Sequence, residues 1–211
     1  MRKIIYISTL CLFLISSASW AYEYPADPYW TVELAGAWGS GCPHPNEVRV
    51  VPTPDYKTIV ARFDDYHANT DTSPVGVDLA RCNITIWVWG YPDYQFSWVG
   101  MRYRGFLYMD EGSKTLLEAD YYFNDTPVHQ HFKREWNPDY PIAETMYIED
   151  KFFPPSYKWS ECGEGALVTL DSALTAFKHN GNFAQIMLTH NDITTEVYFQ
   201  LDWRPCTPQA E

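Results

Sequence analysis

Basic residues are scarce in this chain. Fifteen lysines and arginines stand against 27 aspartates and glutamates, for a formal net charge of −12 over 211 residues. A surface of that sign repels phosphate backbones, which argues against nucleic acid as a partner. Apolar stretches are short as well. The run at residues 4–15 falls below the roughly 20 residues that a membrane-spanning helix needs, and no later stretch is longer, so no membrane span is expected. No segment shows a sustained 3.6-residue period with caps, and there is no internal repeat or low-complexity tract. No C-x-x-C pair occurs, and the cysteine spacings are far from those of zinc ligands. G-x-S-x-G is absent, so serine chemistry finds no support. The glycine-rich stretch 35–43 lacks the lysine and the helix-forming continuation of a phosphate loop. No cofactor or metal motif stands out.

Aromatic and apolar residues are plentiful instead. Hydrophobic residues make up 46% of the chain and aromatics 17%, which fits a folded globular protein and not a disordered one. Arg2 and Lys3, the apolar run and the small residues Ser19 and Ala21 have the layout of a secretory signal peptide cleaved after Ala21. Cys11 then belongs to the removed segment. The expected organisation is a signal peptide at 1–21, an N-terminal leader at 22–38, one domain at 39–206 and a tail at 207–211. A chain of this length buries about 70% of its unfolded surface in a single core.

Four cysteines remain: Cys42, Cys82, Cys162 and Cys206. An even number in an exported chain reads as two disulfides. Three connectivities are possible. Pairing sequence neighbours, Cys42 with Cys82 and Cys162 with Cys206, is favoured, each bridge being worth about 4 kcal/mol in the chain-entropy model.

The rest reads as strands. Residues 83–89 alternate cleanly, with Ile84, Ile86 and Val88 on one face and Thr85, Trp87 and Trp89 on the other. Further strands are expected at 47–51, 58–63, 94–109, 115–123, 166–177, 183–190 and 196–203. The turn cluster at 110–114 suggests a hairpin between 94–109 and 115–123. Residues 124–160 carry five prolines and read as a long loop with one strand near 144–148. Many short strands separated by Gly, Pro, Asn and Asp predict an all-β fold: an antiparallel, jelly-roll-like β-sandwich stapled by disulfides.

A set of short motifs recurs in order along the chain. It runs Gly39-Ser40-Gly41-Cys42-Pro43, then Phe63 and Tyr66, then Ala80-Arg81-Cys82-Asn83. Tyr103-Arg104-Gly105, Tyr121-Tyr122-Phe123, Cys162-Gly163 and Leu201-Asp202-Trp203-Arg204-Pro205-Cys206 complete it. This set resembles the small secreted proteins of fungi and bacteria grouped as the domain of unknown function 4360 family, over roughly residues 39–206. The resemblance implies a secreted β-rich domain with no established activity and supplies no catalytic residues. The stretch 124–160 looks expanded relative to that pattern.

Chemistry candidates are few. His129-Gln130-His131 would place two imidazoles on one strand face, with Glu144 or Asp150 as an added oxygen ligand; two surface histidines in a polar loop is the plainer reading. Asp64-Asp65 and Asp110-Glu111 are adjacent acids, which a strand points to opposite faces, so neither pair alone makes a glycosidase site. Asn83-Ile84-Thr85 and Asn124-Asp125-Thr126 match the glycosylation sequon. The aromatics are the best clue. Trp87, Trp89, Tyr91, Tyr94 and Trp98, with Asp93 and Gln95 beside them, would form a stacking surface for sugar rings if exposed, and a core if buried. The chain therefore reads as a secreted, extracellular or periplasmic, non-enzymatic module that binds a glycan or a surface protein. The alternatives are a polymer hydrolase using paired carboxylates and a structural, envelope-associated protein.

Overall fold

A computed structural model describes residues 30–71, 73–128, 131–188 and 196–206. The segments read as signal peptide and C-terminal tail, together with Tyr22–Pro28, His129 and His190, lie outside the described residues.

Among the described residues, thirteen strands form two antiparallel sheets packed face to face. In the six-stranded sheet, β1 (Thr31–Trp38), β5 (Val77–Trp89), β11 (Ala166–Phe177) and β7 (Lys114–Phe123) lie side by side. The short β8 (Thr126–Pro127) and β9 (Phe132–Trp136) both pair with β7. The seven-stranded sheet is organised around β6 (Tyr94–Met109), whose 16 residues make it the longest of the described strands. Along one edge β6 pairs with β13 (Glu196–Pro205) and β12 (Ala184–Met187). Beyond β13 lie β3 (Thr58–Phe63) and β2 (Val48–Pro52), and beyond β12 lies β4 (His67–Asn69). Along its other edge β6 pairs with β10 (Ile142–Lys151).

Period-two alternation decides which face meets the core. On β5, Ile84, Ile86 and Val88 are fully buried, while Thr85, Trp87 and Trp89 point away from the core. On β13, Val197, Phe199, Leu201 and Trp203 point in. Tyr103 of β6 and Tyr121 of β7 meet between the sheets, hydroxyl to hydroxyl at 2.9 Å.

Two disulfides tie loops to the two sheets. Cys42–Cys82 joins the glycine-rich loop to β5, and Cys162–Cys206 joins the loop before β11 to the end of β13. The glycines of that first loop allow a close backbone approach. A Cβ on Gly39, where φ is +134°, would sit 2.2 Å from the Arg81 carbonyl oxygen, and one on Gly41 would meet the Tyr66 ring at 2.3 Å.

Three expectations change. The hairpin between 94–109 and 115–123 does not form, because β6 and β7 belong to different sheets. The turn between them is held across the gap: the Phe183 amide donates to Asp110 Oδ2 at 2.7 Å, and the Ser113 hydroxyl donates to the Asp110 carbonyl at 2.6 Å. A turn signal shows where a chain reverses, not which sheet it rejoins. The leader read at 22–38 ends in β1, which pairs with β5 over almost its whole length. The long loop read at 124–160 contains β8, β9 and the ten residues of β10.

Candidate functional site

Register builds the outer face of the six-stranded sheet row by row. Residues directly opposite in an antiparallel pair share a face. One row runs Glu33, Trp87, Leu167. The next runs Gly36, Thr85, Thr169, Tyr122, and a third runs Trp38, Asn83, Asp171, Asp120. Thr31 and Trp89 lie beside the first. In the middle row the Thr85 and Thr169 hydroxyls bond each other at 3.1 Å, Gly36 has no side chain, and Tyr122 closes the row on β7. Trp38 reaches over that glycine, since a Cβ there would lie 2.8 Å from the indole edge. A bulge between Leu34 and Gly36 sets up this placement.

Three indoles therefore stand on the solvent side. Trp38 is 53% exposed and Trp89 is 39% exposed. Trp87 is half-buried beside Trp89, edge to face with ring centroids 5.4 Å apart. Gly165 leaves room for the Trp87 ring, because a Cβ there would sit 2.9 Å from the indole nitrogen. Trp87 Nε1 and Asn83 Oδ1 are both covered and have no hydrogen-bond partner among the described residues.

Carboxylates border the aromatic rows. Asp120 and Asp171 are directly opposite across β7 and β11. His131, just before β9, is 3.0 Å from Asp120 through Nδ1 and 3.4 Å from Glu118 through Nε2. The hydrogen bond to Asp120 leads in raising the His131 pKa; burial works against it, and Glu118 adds to it. Lys133 also reaches Glu118, at 3.4 Å. A hollow of about 180 Å³ lies here, lined by Arg81, Glu118, Asp120, His131, Asp171 and neighbouring backbone. A larger one, about 370 Å³, opens between β9 and β10 along Arg134, Trp136 and residues 144–149. There, burial pushes the Glu149 carboxyl up, but hydrogen bonds from Lys151 and Arg102 outweigh it and hold the pKa below the usual range.

The five aromatics singled out in the sequence divide. Trp87 and Trp89 are on the outer face. Trp98 is fully buried, stacked on Phe199 with ring centroids 5.2 Å apart and edge-on to Tyr121, and its N–H donates to the Gly100 carbonyl at 2.9 Å. It is a core residue and offers no surface to a ligand. Tyr91 is buried at the end of the sandwich against Trp203, with half-buried Tyr94 beside it. Trp30 and Tyr56 complete that cluster. Burial raises the Tyr91 pKa. Gln95 is held by the Ser160 carbonyl and Arg204, away from the outer indoles.

The other candidates fall as follows. His131 meets Asp120 and Glu118 and neither Glu144 nor Asp150. Asp150 is buried and hydrogen bonds Tyr121. Asp110 holds its turn, and Asp65 pairs with His67 at 2.6 Å. Asn124 sits exposed in the β7–β8 turn and accepts from the Leu167 amide at 2.8 Å. Sequence reasoning missed Trp38, Thr169, Asp120 and Asp171. Their place on the face depends on which strands are neighbours, and no local pattern carries that.

Residues 29–206 match the family model described as a domain of unknown function, DUF4360. The chain belongs to this family. An uncharacterized secreted protein of Arthroderma benhamiae is 27% identical over 178 residues, covering 80% of this chain and 69% of that protein. Among solved structures, the enzymatically active domain of bacteriophage CBA120 tailspike protein 4 aligns with a TM-score of 0.27 and 13% identity. The alignment covers 81% of this chain and 19% of that one. TmCBM61 in complex with β-1,4-galactotriose aligns with a TM-score of 0.23 and 9% identity, covering 84% of this chain and 89% of that one. Among the described residues no helix is long and apolar enough to cross a membrane.

Proposed function

We propose that this protein is a secreted binding module that takes a glycan across the outer face of its six-stranded sheet. The observation that carries the reading is the placement of Trp38, Trp87 and Trp89 on the solvent side of two adjacent strands, bordering a row of threonines. Exposed indoles cost free energy in water, and a cluster of them marks an interaction surface. Flat rings accept the apolar faces of pyranose rings, while Thr85, Thr169 and the bordering carboxylates supply hydrogen-bonding groups for hydroxyls. The secreted relative and the two disulfides support an extracellular setting.

The test is retention of the oxidised protein by insoluble polysaccharides. Binding to one polymer, lost in Trp87→Ala or Trp89→Ala, is the expected result. Failure to bind any polymer would remove the glycan reading and favour a protein partner on the same face.

One observation favours hydrolysis as a second reading. Asp120 and Asp171 are directly opposite, and cross-strand Cβ atoms are about 5 Å apart, near the carboxyl separation of retaining glycosidases. Release of reducing ends from a bound polymer, abolished in Asp171→Asn, would establish it.

A further inference from the structure

We propose that the glycan taken by the outer face is a cationic one, a chain of hexosamines with free amino groups; the inference rests on the glycan reading above and names its substrate class. The three rows that hold Trp38, Trp87 and Tyr122 carry three carboxylates, Glu33, Asp120 and Asp171, and no cationic residue. Arg81 stands in the following row, opposite Ala173, and Lys133 opposite Glu118. Arg81 and Lys133 therefore lie beyond the aromatic rows and toward one end, where Lys133 engages Glu118, while His131 reaches both Glu118 and Asp120 at the β7 end of the third row.

Like charges directly opposite on neighbouring strands are destabilising, and Asp120 and Asp171 occupy such positions. His131 relieves Asp120 alone. Asp171 is exposed, and among the described residues its carboxylate takes no hydrogen bond or ion pair. Glu33 is likewise exposed beside Trp87. An ammonium group seated at Asp171 would relieve the pair while the adjoining sugar rings lie on Trp38 and across Thr85 and Thr169. From Trp38 to Asp120 the row crosses three strand spacings, roughly 14 Å, so the occupant is an oligosaccharide and not a single sugar. A polyuronate is excluded from this face by the same charges.

The test is titration calorimetry of the disulfide-bonded protein with four probes: a β-1,4-linked glucosamine hexamer, its N-acetylated counterpart, cellohexaose and a hexagalacturonate. The free-amine hexamer is expected to bind about tenfold more tightly than the N-acetylated one, the effect of one charge-assisted hydrogen bond. High salt should erase that difference. Asp171→Asn, nearly isosteric, should bring the two affinities together, and Trp87→Ala should weaken both. Equal binding of the amine and acetylated hexamers, unchanged in Asp171→Asn, would overturn the proposal and leave the glycan reading standing. Binding of none of the four would overturn both. Tight binding of the amine hexamer that survives Trp38→Ala and Trp87→Ala, and is matched by polylysine, would reduce it to attraction between a polycation and an acidic protein, which also overturns it.

Discussion

The hydroxyls of Tyr103 and Tyr121 meet 2.9 Å apart across the two sheets, and Tyr121 also bonds the buried Asp150 carboxyl on the edge strand β10. This small polar chain lies among Trp98, Phe152 and Phe199. Buried polar groups are costly unless paired, and each partner here pairs another. Tyr121 is the middle member. Tyr121→Phe strands two groups and should destabilise the fold by about 1–3 kcal/mol. Tyr103→Phe leaves the Tyr121–Asp150 contact in place and should cost about 1 kcal/mol. Urea unfolding of both variants measures the difference, and an equal cost would show that Asp150 does not share in the chain.

The same burial sets the response to alkali. Burial pushes the phenol pKa values of Tyr66, Tyr103 and Tyr121 above the ordinary value of 10. The folded state thus keeps protons that the unfolded state gives up. Stability from these groups is fully present below about pH 10 and falls as pH rises beyond it, toward the raised folded values. A pH series of urea midpoints should be flat through neutrality and drop above about pH 10. Tyrosinate absorbance should appear for the exposed tyrosines first and for the buried three together with unfolding. Ionisation of all tyrosines before the fold is lost would contradict the assignment.

Trp98 and Trp89 provide an internal comparison. Trp98→Ala removes a fully buried ring and should cost about 3–5 kcal/mol. Trp89 is 39% exposed, and its loss removes one edge-to-face contact with Trp87. Trp89→Ala should stay within about 1 kcal/mol of the parent while reducing polysaccharide retention. If Trp89→Ala unfolds the protein, the outer indoles are packing residues and the stacking surface is lost as an explanation.

How much of this was legible in the sequence depends on the range of the interaction. The alternation Ile84, Ile86, Val88 against Thr85, Trp87, Trp89 is local, and it correctly set the inward and outward faces of β5. The same local patterns located β3, β6 and β11. Trp98 looked equivalent to Trp87, because β6 has buried residues on both of its faces over Phe96–Trp98, and period two loses its meaning there. The acidic row is not local at all. Asp120 and Asp171 are 51 positions apart, and only the order β5-β11-β7 brings them opposite each other. β9 was hidden by its charged sequence, FKREW, which an edge strand tolerates because one of its sides faces water.

His131 offers a residue-specific readout of that acidic row. Its ring lies 3.0 Å from Asp120 and 3.4 Å from Glu118, and the hydrogen bond to Asp120 leads in raising its pKa above 6.5. The folded state then binds a proton that the unfolded state has released. The stabilisation is complete below the unfolded value near 6.5 and is lost as pH rises through the folded value. The ring is largely exposed, so water and salt screen the effect and the energetic consequence is small. The titration itself is the cleaner measurement. Proton NMR should give a His131 midpoint above 6.5, and Asp120→Asn should lower it more than Glu118→Gln does. Asp171→Asn should lower it less than Asp120→Asn, because His131 makes no contact with Asp171 and feels it only through the charge opposite Asp120. Filling the face with the glucosamine hexamer should also lower the midpoint, since an ammonium at Asp171 adds positive charge beside the imidazole. A midpoint that ignores both Asp120→Asn and the hexamer would mean that His131 does not report on this row and that the ligand, if bound, sits elsewhere.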